Sequence, residues 1–281
     1  MRIAFQGVHG AYSEAAAEKH FGRKNRFIGC YNIADVFSAV ERGDVDFGFV
    51  PVENSIEGPV TQTYDSLVNG KHSLVNGKLF VHGENIIRIS HCLIGFGGRK
   101  LRNISGVYSH PQALAQCSRF IHRNRMVEIP FYDTAASAKH IKDEGLKDFG
   151  AIASERAARA YGLSVIMRGI ENDRMNYTRF FAISREMEAH DGKGTKSSFA
   201  FVTTNKPGAL YNAIGCFVKN GINMTYLQSR PIIGKPWNYI FYAECEGSMK
   251  SRPMSRACEE LAKNAKSFRF LGSYAKAKVR V

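Results

Sequence analysis

Five times in its first 160 residues the chain runs from a short apolar stretch into a turn that carries Ser or Thr. Ile3-Ala4-Phe5 passes through Gln6-Gly7-Val8-His9-Gly10 into a helical stretch, Ala11–Ala17, with Ser13 near its start. Val45–Val52 runs into Pro51-Val52-Glu53-Asn54-Ser55-Ile56-Glu57-Gly58, and Val107-Tyr108 into Ser109-His110-Pro111-Gln112. Phe131-Tyr132 leads to Asp133-Thr134-Ala135-Ala136-Ser137, and Gly150–Ala153 leads to Ser154-Glu155-Arg156. One such junction is an ordinary helix N-cap. Five in a row constrain the fold to an open α/β sheet. Its ligand belongs at the carboxyl ends of the strands, ringed by hydroxyls and helix N-termini. Free backbone N–H groups there suit an acidic small molecule. The first junction lacks the G-x-G-x-x-G spacing of a dinucleotide site.

Tyr177–Ile183 reads as a further strand, rich in aromatic and β-branched residues. Alternation puts Thr178 and Phe180 on one face, and Tyr177 and Arg179 on the other. A hydroxyl beside an aromatic wall can donate a hydrogen bond in a dry pocket; locally, a plain core strand fits as well. The charged, glycine-containing stretch Glu186–Lys196 reads as a linker. Beyond it come a strand at Phe199–Thr204, a helix from Pro207 to about Lys219, and strands at Ile222–Arg230 and Trp237–Cys245. A helix at Arg256–Ala265 and a strand at Phe268–Tyr274 complete the order. That βαββαβ order predicts a ferredoxin-like sandwich of about 80 residues. The expected division is residues 1–185, a linker at 186–196, and 197–281.

At 281 residues and 44% hydrophobic, the chain can bury a core in each of two domains. Its first residues, Met1–Gly7, read as strand and turn rather than a leader, and no apolar run approaches the roughly 20 residues of a membrane span. A soluble cytoplasmic protein is therefore expected. The six cysteines form no C-x-x-C pair and no zinc spacing with the histidines, so reduced core thiols and no metal site are expected. From Ser197 on, 13 Lys and Arg face 4 Asp and Glu, a net +9 of the chain's +14. Those cations are spread singly and no recognition motif accompanies them, which argues for a solvated basic surface, or a field attracting a small dianion, over nucleic acid. Ser66-Leu67-Val68-Asn69-Gly70-Lys71 recurs as Ser73-Leu74-Val75-Asn76-Gly77-Lys78, a tandem copy expected to lengthen a surface hairpin.

Taken in order, Gly10–Ala16, Pro51–Gly58, Ser109–Leu114, Asp133–Ala135, Ala151–Ser154 and Asn176–Phe180 resemble the prephenate dehydratase family. Gly208-Ala209-Leu210-Tyr211 and Gln228-Ser229-Arg230-Pro231 resemble the ACT regulatory domain that follows it, so the likeness covers nearly the whole chain. The resemblance implies two lobes like a type II periplasmic binding protein, with the active site between them. It implies Thr178 as the essential hydroxyl, with Asn54 and Ser55 as further catalytic candidates. Substrate contacts are expected from Ser13, Glu53, Ser109, His110, Thr134, Ser154, Asn176, Arg179 and Phe180. Phenylalanine is implied as an allosteric effector at Gly208, Ala209, Leu210, Asn223, Gln228, Ser229, Arg230 and Pro231, across the interface of a homodimer or homotetramer. The chain departs from the family in Gln228, where Glu is usual, in Tyr211, where Val is usual, and in the duplicated segment.

The implied reaction expels carbon dioxide and a ring hydroxyl together and gains an aromatic ring. It asks for a grip on two carboxylates, an apolar place for the departing one, and a hydrogen-bond donor at the leaving oxygen. No cofactor is required. Alternation turns Arg179 away from Thr178, and Glu53 would repel a dianion, so both are awkward substrate ligands. His110 is read equally as a general acid or a helix cap. The rival readings are a solute-binding protein, a sensor-type regulator, and the same chemistry on arogenate, in which an amino group replaces the keto oxygen.

Overall fold

The computed structural model describes residues 1–68, 79–187 and 190–278. The chain begins with β1 (Arg2–Gln6), α1 (Tyr12–Phe21), β2 (Arg26–Cys30), α2 (Ile33–Arg42), β3 (Phe47–Asn54), β4 (Gly58–Pro59), α3 (Thr61–Val68) and β5 (Phe80–Arg88). It crosses to a second lobe of β6 (Cys92–Gly95), β7 (Gly106–Ser109), α4 (Pro111–Gln116), α5 (Ser118–Arg123), β8 (Val127–Pro130), α6 (Thr134–Asp143), β9 (Phe149–Ala153), α7 (Glu155–Ala160) and β10 (Ser164–Arg168). The return strand β11 (Tyr177–Ser184) rejoins the first sheet, whose order is β2-β1-β3-β11-β5. The second sheet runs β10-β6-β9-β7-β8. Two crossings thus tie two α/β lobes together, and they are hydrogen-bonded to each other: the Ile89 amide donates to the Asn176 carbonyl at 2.8 Å. This is the expected two-lobed topology.

The remaining elements are β12 (Thr195–Val202), α8 (Ala209–Lys219), β13 (Met224–Pro231), β14 (Tyr239–Glu246), α9 (Arg252–Asn264) and β15 (Ser267–Ala275), in the sheet order β13-β14-β12-β15. That is the ferredoxin-like βαββαβ unit. Strand β12 starts inside the stretch read as linker, because Thr195 and Lys196 are both buried in the sheet. Met254, Ala257, Cys258 and Leu261 along α9 pack with Phe199 and Phe217 on one face of the sheet. The other face is covered within the chain. Ala200, Ile240, Tyr242, Leu271 and Tyr274 bury it against Val50, Val52, Tyr64 and Phe181 of the first lobe. Of the duplicated segment, Ser66 and Leu67 belong to α3; residues 69–78, and with them the expected hairpin, lie outside the described residues.

The hydroxyls at the five junctions do not all do what their positions suggest. Only Ser154 caps a helix, accepting from the Ala157 amide at 3.0 Å. Ser13 falls within the first turn of α1, and α4 and α6 are capped by His110 and Asp133, one residue away from Ser109 and Thr134. Asn54 and Ser55 end a strand and open a turn, with β4 folding back on β3. No helix among the described residues is long and apolar enough to cross a membrane.

Candidate active site

A cavity of about 620 Å³ lies between the lobes, at the carboxyl ends of β1, β3 and β7. On one side the lobes meet closely. Gly10 holds φ +90°, and a Cβ there would stand 2.9 Å from the Ala157 Cα, so only glycine lets the β1–α1 loop rest on α7. Ser154 Oγ donates to the Gly10 carbonyl at 3.0 Å, and Arg156 binds Glu14 and Glu18 across the same seam. At the cavity mouth Tyr31 of the first lobe and Tyr132 of the second meet, ring centroids 5.4 Å apart.

Thr178 and Phe180 line the cavity. Phe180 stacks on Phe49 at 5.4 Å and makes the apolar wall. Across the sheet Thr178 pairs with Asn54. The Asn54 Oδ1 accepts the amides of Ile56 and Glu57 at 3.0 and 3.1 Å, which fixes its amide so that Nδ2 faces Thr178. Asn54 Nδ2 donates to Thr178 Oγ1 at 3.0 Å. A hydroxyl that accepts from an amide keeps its own hydrogen for a ligand.

A chain of neutral groups continues from there. Asn54 Nδ2 donates to Asn176 Oδ1 at 2.7 Å, Asn176 Nδ2 to Gln116 Oε1 at 2.9 Å, and His91 Nε2 meets the same Gln116 oxygen at 3.0 Å. Burial holds His91 below the ordinary histidine range and Tyr12, 3.3 Å from its Nδ1, well above the ordinary tyrosine range. Both are therefore uncharged at neutral pH.

Of the expected substrate contacts, Ser13, His110, Thr134, Thr178 and Phe180 share the cavity lining, as does Asn54. His110 Nδ1 accepts from the Gln112 amide at 3.3 Å, which leaves Nε2 as its donor; burial lowers its pKa, so it stays neutral. Its placement is that of a cap with a free N–H rather than a proton-laden acid.

Others are elsewhere, for clear reasons. Ser109 is fully buried and donates to the Ile152 carbonyl at 2.6 Å. Ser154 is taken up by its cap and by Gly10. Asn176 is buried behind Asn54, and Ser55 Oγ bridges the Met175 carbonyl and the Tyr177 amide, both at 2.9 Å. These two position the site rather than line it.

Arg179 and Glu53 are corrected outright. They occupy the opposite face of the β3–β11 pair, where Arg179 binds Glu53 at 3.0 Å, Glu84 at 3.2 Å and Glu244 of the C-terminal unit at 2.6 Å. The pleat sends them there. No Lys or Arg lines the cavity among the described residues.

Tyr12, Tyr31, Glu57, His91, Gln112, Gln116, Tyr132 and Asp133 line it without having been singled out. Gln112 and Gln116 stand four apart on α4, a spacing that puts both on one face and was visible in the sequence. Asp133 was visible as a cap residue. His91 lies on a crossing segment and carries no local signal.

Of the expected effector residues, Gly208 opens α8 at φ +79° and Arg230 forms a two-pronged bond to Asp65 of α3 at 2.7 and 2.8 Å. Ala209 and Leu210 follow Gly208 on α8, and Ser229 and Pro231 flank Arg230 on β13. Gln228 bonds the Ser229 carbonyl, and Asn223 reaches Glu246 at 3.3 Å.

Fold and site together define a small-molecule enzyme whose cleft lies between two α/β lobes. The chain belongs to the prephenate dehydratase family, whose model matches residues 3–188. It is 38% identical to arogenate dehydratase 2 of Petunia hybrida over 98% of this chain and 71% of that one. It is 35% identical to the bifunctional chorismate mutase/prephenate dehydratase of Escherichia coli (strain K12), over 97% of this chain and 70% of that one. Among solved structures, a prephenate dehydratase from Arthrobacter aurescens in complex with L-phenylalanine superposes with a TM-score of 0.89 at 28% identity, covering 98% of this chain and 90% of that one. A structure described as a novel type of quorum quenching acylase gives the same TM-score at 32% identity, with both chains fully covered.

Proposed function

We propose that the chain converts prephenate and one proton to phenylpyruvate, carbon dioxide and water. The observation that carries this reading is the Thr178 hydroxyl, held by Asn54 at 3.0 Å with its hydrogen available to the cavity. As the bond to the carboxylate breaks, its electron pair moves through the ring and expels the hydroxyl para to it. Thr178 donates a hydrogen bond to that oxygen as charge develops; a threonine is too weakly acidic to give the proton outright, so solvent supplies it. The Phe180 wall receives the departing carbon dioxide. Backbone N–H groups at the start of α1, where Ala11 makes no side-chain cap bond, and the His110 Nε2 hold the carboxylates without cationic side chains.

Phenylalanine as an effector and assembly as a homodimer or homotetramer belong to the same reading, as does a cytoplasmic location. The Arg230–Asp65 pair gives an effector near β13 a direct line to the first lobe. Exposed Tyr211, Val218, Ile233 and Trp237 around α8 and the β13–β14 turn supply apolar surface for a second copy.

An acylase activity, the one named in the description of the other structure, is less well served. The group against the Thr178 oxygen is an amide donor, which cannot take its proton.

The test is phenylpyruvate formation by wild type and Thr178→Ala, with phenylalanine titrated into both. Loss of one positioned donor lowers kcat by about 10²–10³-fold. Turnover undiminished by the substitution would remove Thr178 from the mechanism. Hydrolysis of an acyl amide but not turnover of prephenate would replace the proposal.

A further inference from the structure

The cavity has two ends. One holds Thr178, Asn54 and Gln116, and its carboxylate, Glu57, accepts from Gln116 Nε2 at 3.3 Å. At the other stands Asp133, beside His110, Thr134 and the Tyr31–Tyr132 pair. Asp133 Oδ1 is spent on the Ala136 amide at 2.8 Å, as the N-cap of α6. Its Oδ2 faces the first lobe, 3.4 Å from where a Cβ on Gly7 would stand. The neighbouring His110 is neutral, and burial lifts the Asp133 pKa above the usual carboxylate range. Asp133 is half-buried and no Lys or Arg lines the cavity among the described residues, so a positive group arriving there meets a partly desolvated carboxylate with no cationic partner in the lining.

The substrate's shape decides which group arrives. In the proposed reaction the leaving hydroxyl sits para to the ring carbon that carries the three-carbon side chain. In that reading the hydroxyl is assigned to Thr178 and the side chain to the Asp133 end of the cavity, which both residues line. Prephenate and arogenate differ only there, in a keto oxygen against an ammonium.

Resting on the dehydratase reading above, we infer that Asp133 is a specificity-determining residue whose carboxylate receives the ammonium of arogenate, so that this cleft turns over arogenate as well as prephenate. One carboxylate of the amino substrate still meets the start of α1, and Asp133 supplies the charge that the keto substrate does not need.

The test measures kcat/KM for both compounds with wild type, Asp133→Asn and Asp133→Ser. Both replacements keep an N-capping oxygen, so α6 retains its start. The expected result is arogenate turnover by wild type, and a fall of tenfold or more in the arogenate-to-prephenate ratio of kcat/KM in both variants. An unchanged ratio overturns the assignment, whatever happens to the two rates together. Wild type that turns over prephenate alone overturns it too while leaving the dehydratase reading in place, and wild type that turns over neither removes both.

Discussion

Replacing Arg179 by methionine tests the seam between the catalytic lobes and the C-terminal unit. The guanidinium reaches Glu244 at 2.6 and 2.8 Å, Glu84 at 3.2 Å and Glu53 at 3.1 Å, and its faces lie 5.2 Å from the Phe181 ring and 5.3 Å from that of Tyr226. Lys196 also meets Glu84 and Glu244. Three carboxylates thus share two cations in a site where the Glu244 side chain is 0% and Glu84 2% exposed. Arg179→Met leaves three carboxylates facing one ammonium. Breaking a buried pair in this way costs about 3–5 kcal/mol, because the abandoned charges stay buried.

At roughly 2–4 °C per kcal/mol for a chain of this size, the melting temperature falls by about 6–20 °C. Scanning calorimetry and near-ultraviolet circular dichroism read the fall. A cycle with Glu244→Gln completes the assay: the double variant loses less than the sum of the singles, by about 0.5–3 kcal/mol. Arg179 follows Thr178 on β11 and Glu53 precedes Asn54 on β3, so kcat drops more than KM rises. A melting temperature within about 2 °C of wild type, or strict additivity, would refute the reasoning.

Gly272→Ala attacks the same seam through the backbone. Gly272 has φ +146°, and a Cβ would stand 2.2 Å from the Val81 carbonyl oxygen, so β15 must lift from β5. The expected loss is about 1–3 kcal/mol with faster proteolysis between the units; protease resistance equal to wild type counts against it. A histidine predicts the acid side of the stability curve. Burial holds His20 down to about 4, with His82 adding to the effect. The folded state keeps it neutral while the unfolded chain takes a proton near pH 6.5, so stability is lost as pH falls from about 6.5 toward 4. Melting curves across that range become shallower in pH for His20→Leu, and an unaltered slope would rule His20 out as a contributor.

Much of the fold was legible because its signals are local. Apolar strands followed by capped turns spelled out the open α/β lobes, and one βαββαβ order spelled out the C-terminal unit. Boundaries slipped where burial overrode polarity: Thr195 and Lys196 read as linker yet are buried in β12, where the Lys196 ammonium meets Glu84 and Glu244. The hydroxyls were the least reliable guide. A Ser or Thr beside a cap looks like a cap, and only the helix start decides whether Ser109 or His110 has that place.

The sequence by itself determined that Thr178 and Phe180 share one face of a strand and that Arg179 takes the other, because side chains alternate along any strand. It determined the family, through motifs kept in order. Tertiary structure alone decided the partners. Asn54 meets Thr178 from 124 residues away, and Gln116 meets Asn176 from 60. It also turned Arg179 from an apparent substrate ligand into an anchor for Glu244, and made the cap residue Asp133 a wall of the cleft. Period and propensity act over a few residues, whereas register and lobe packing bring together groups that no local pattern relates.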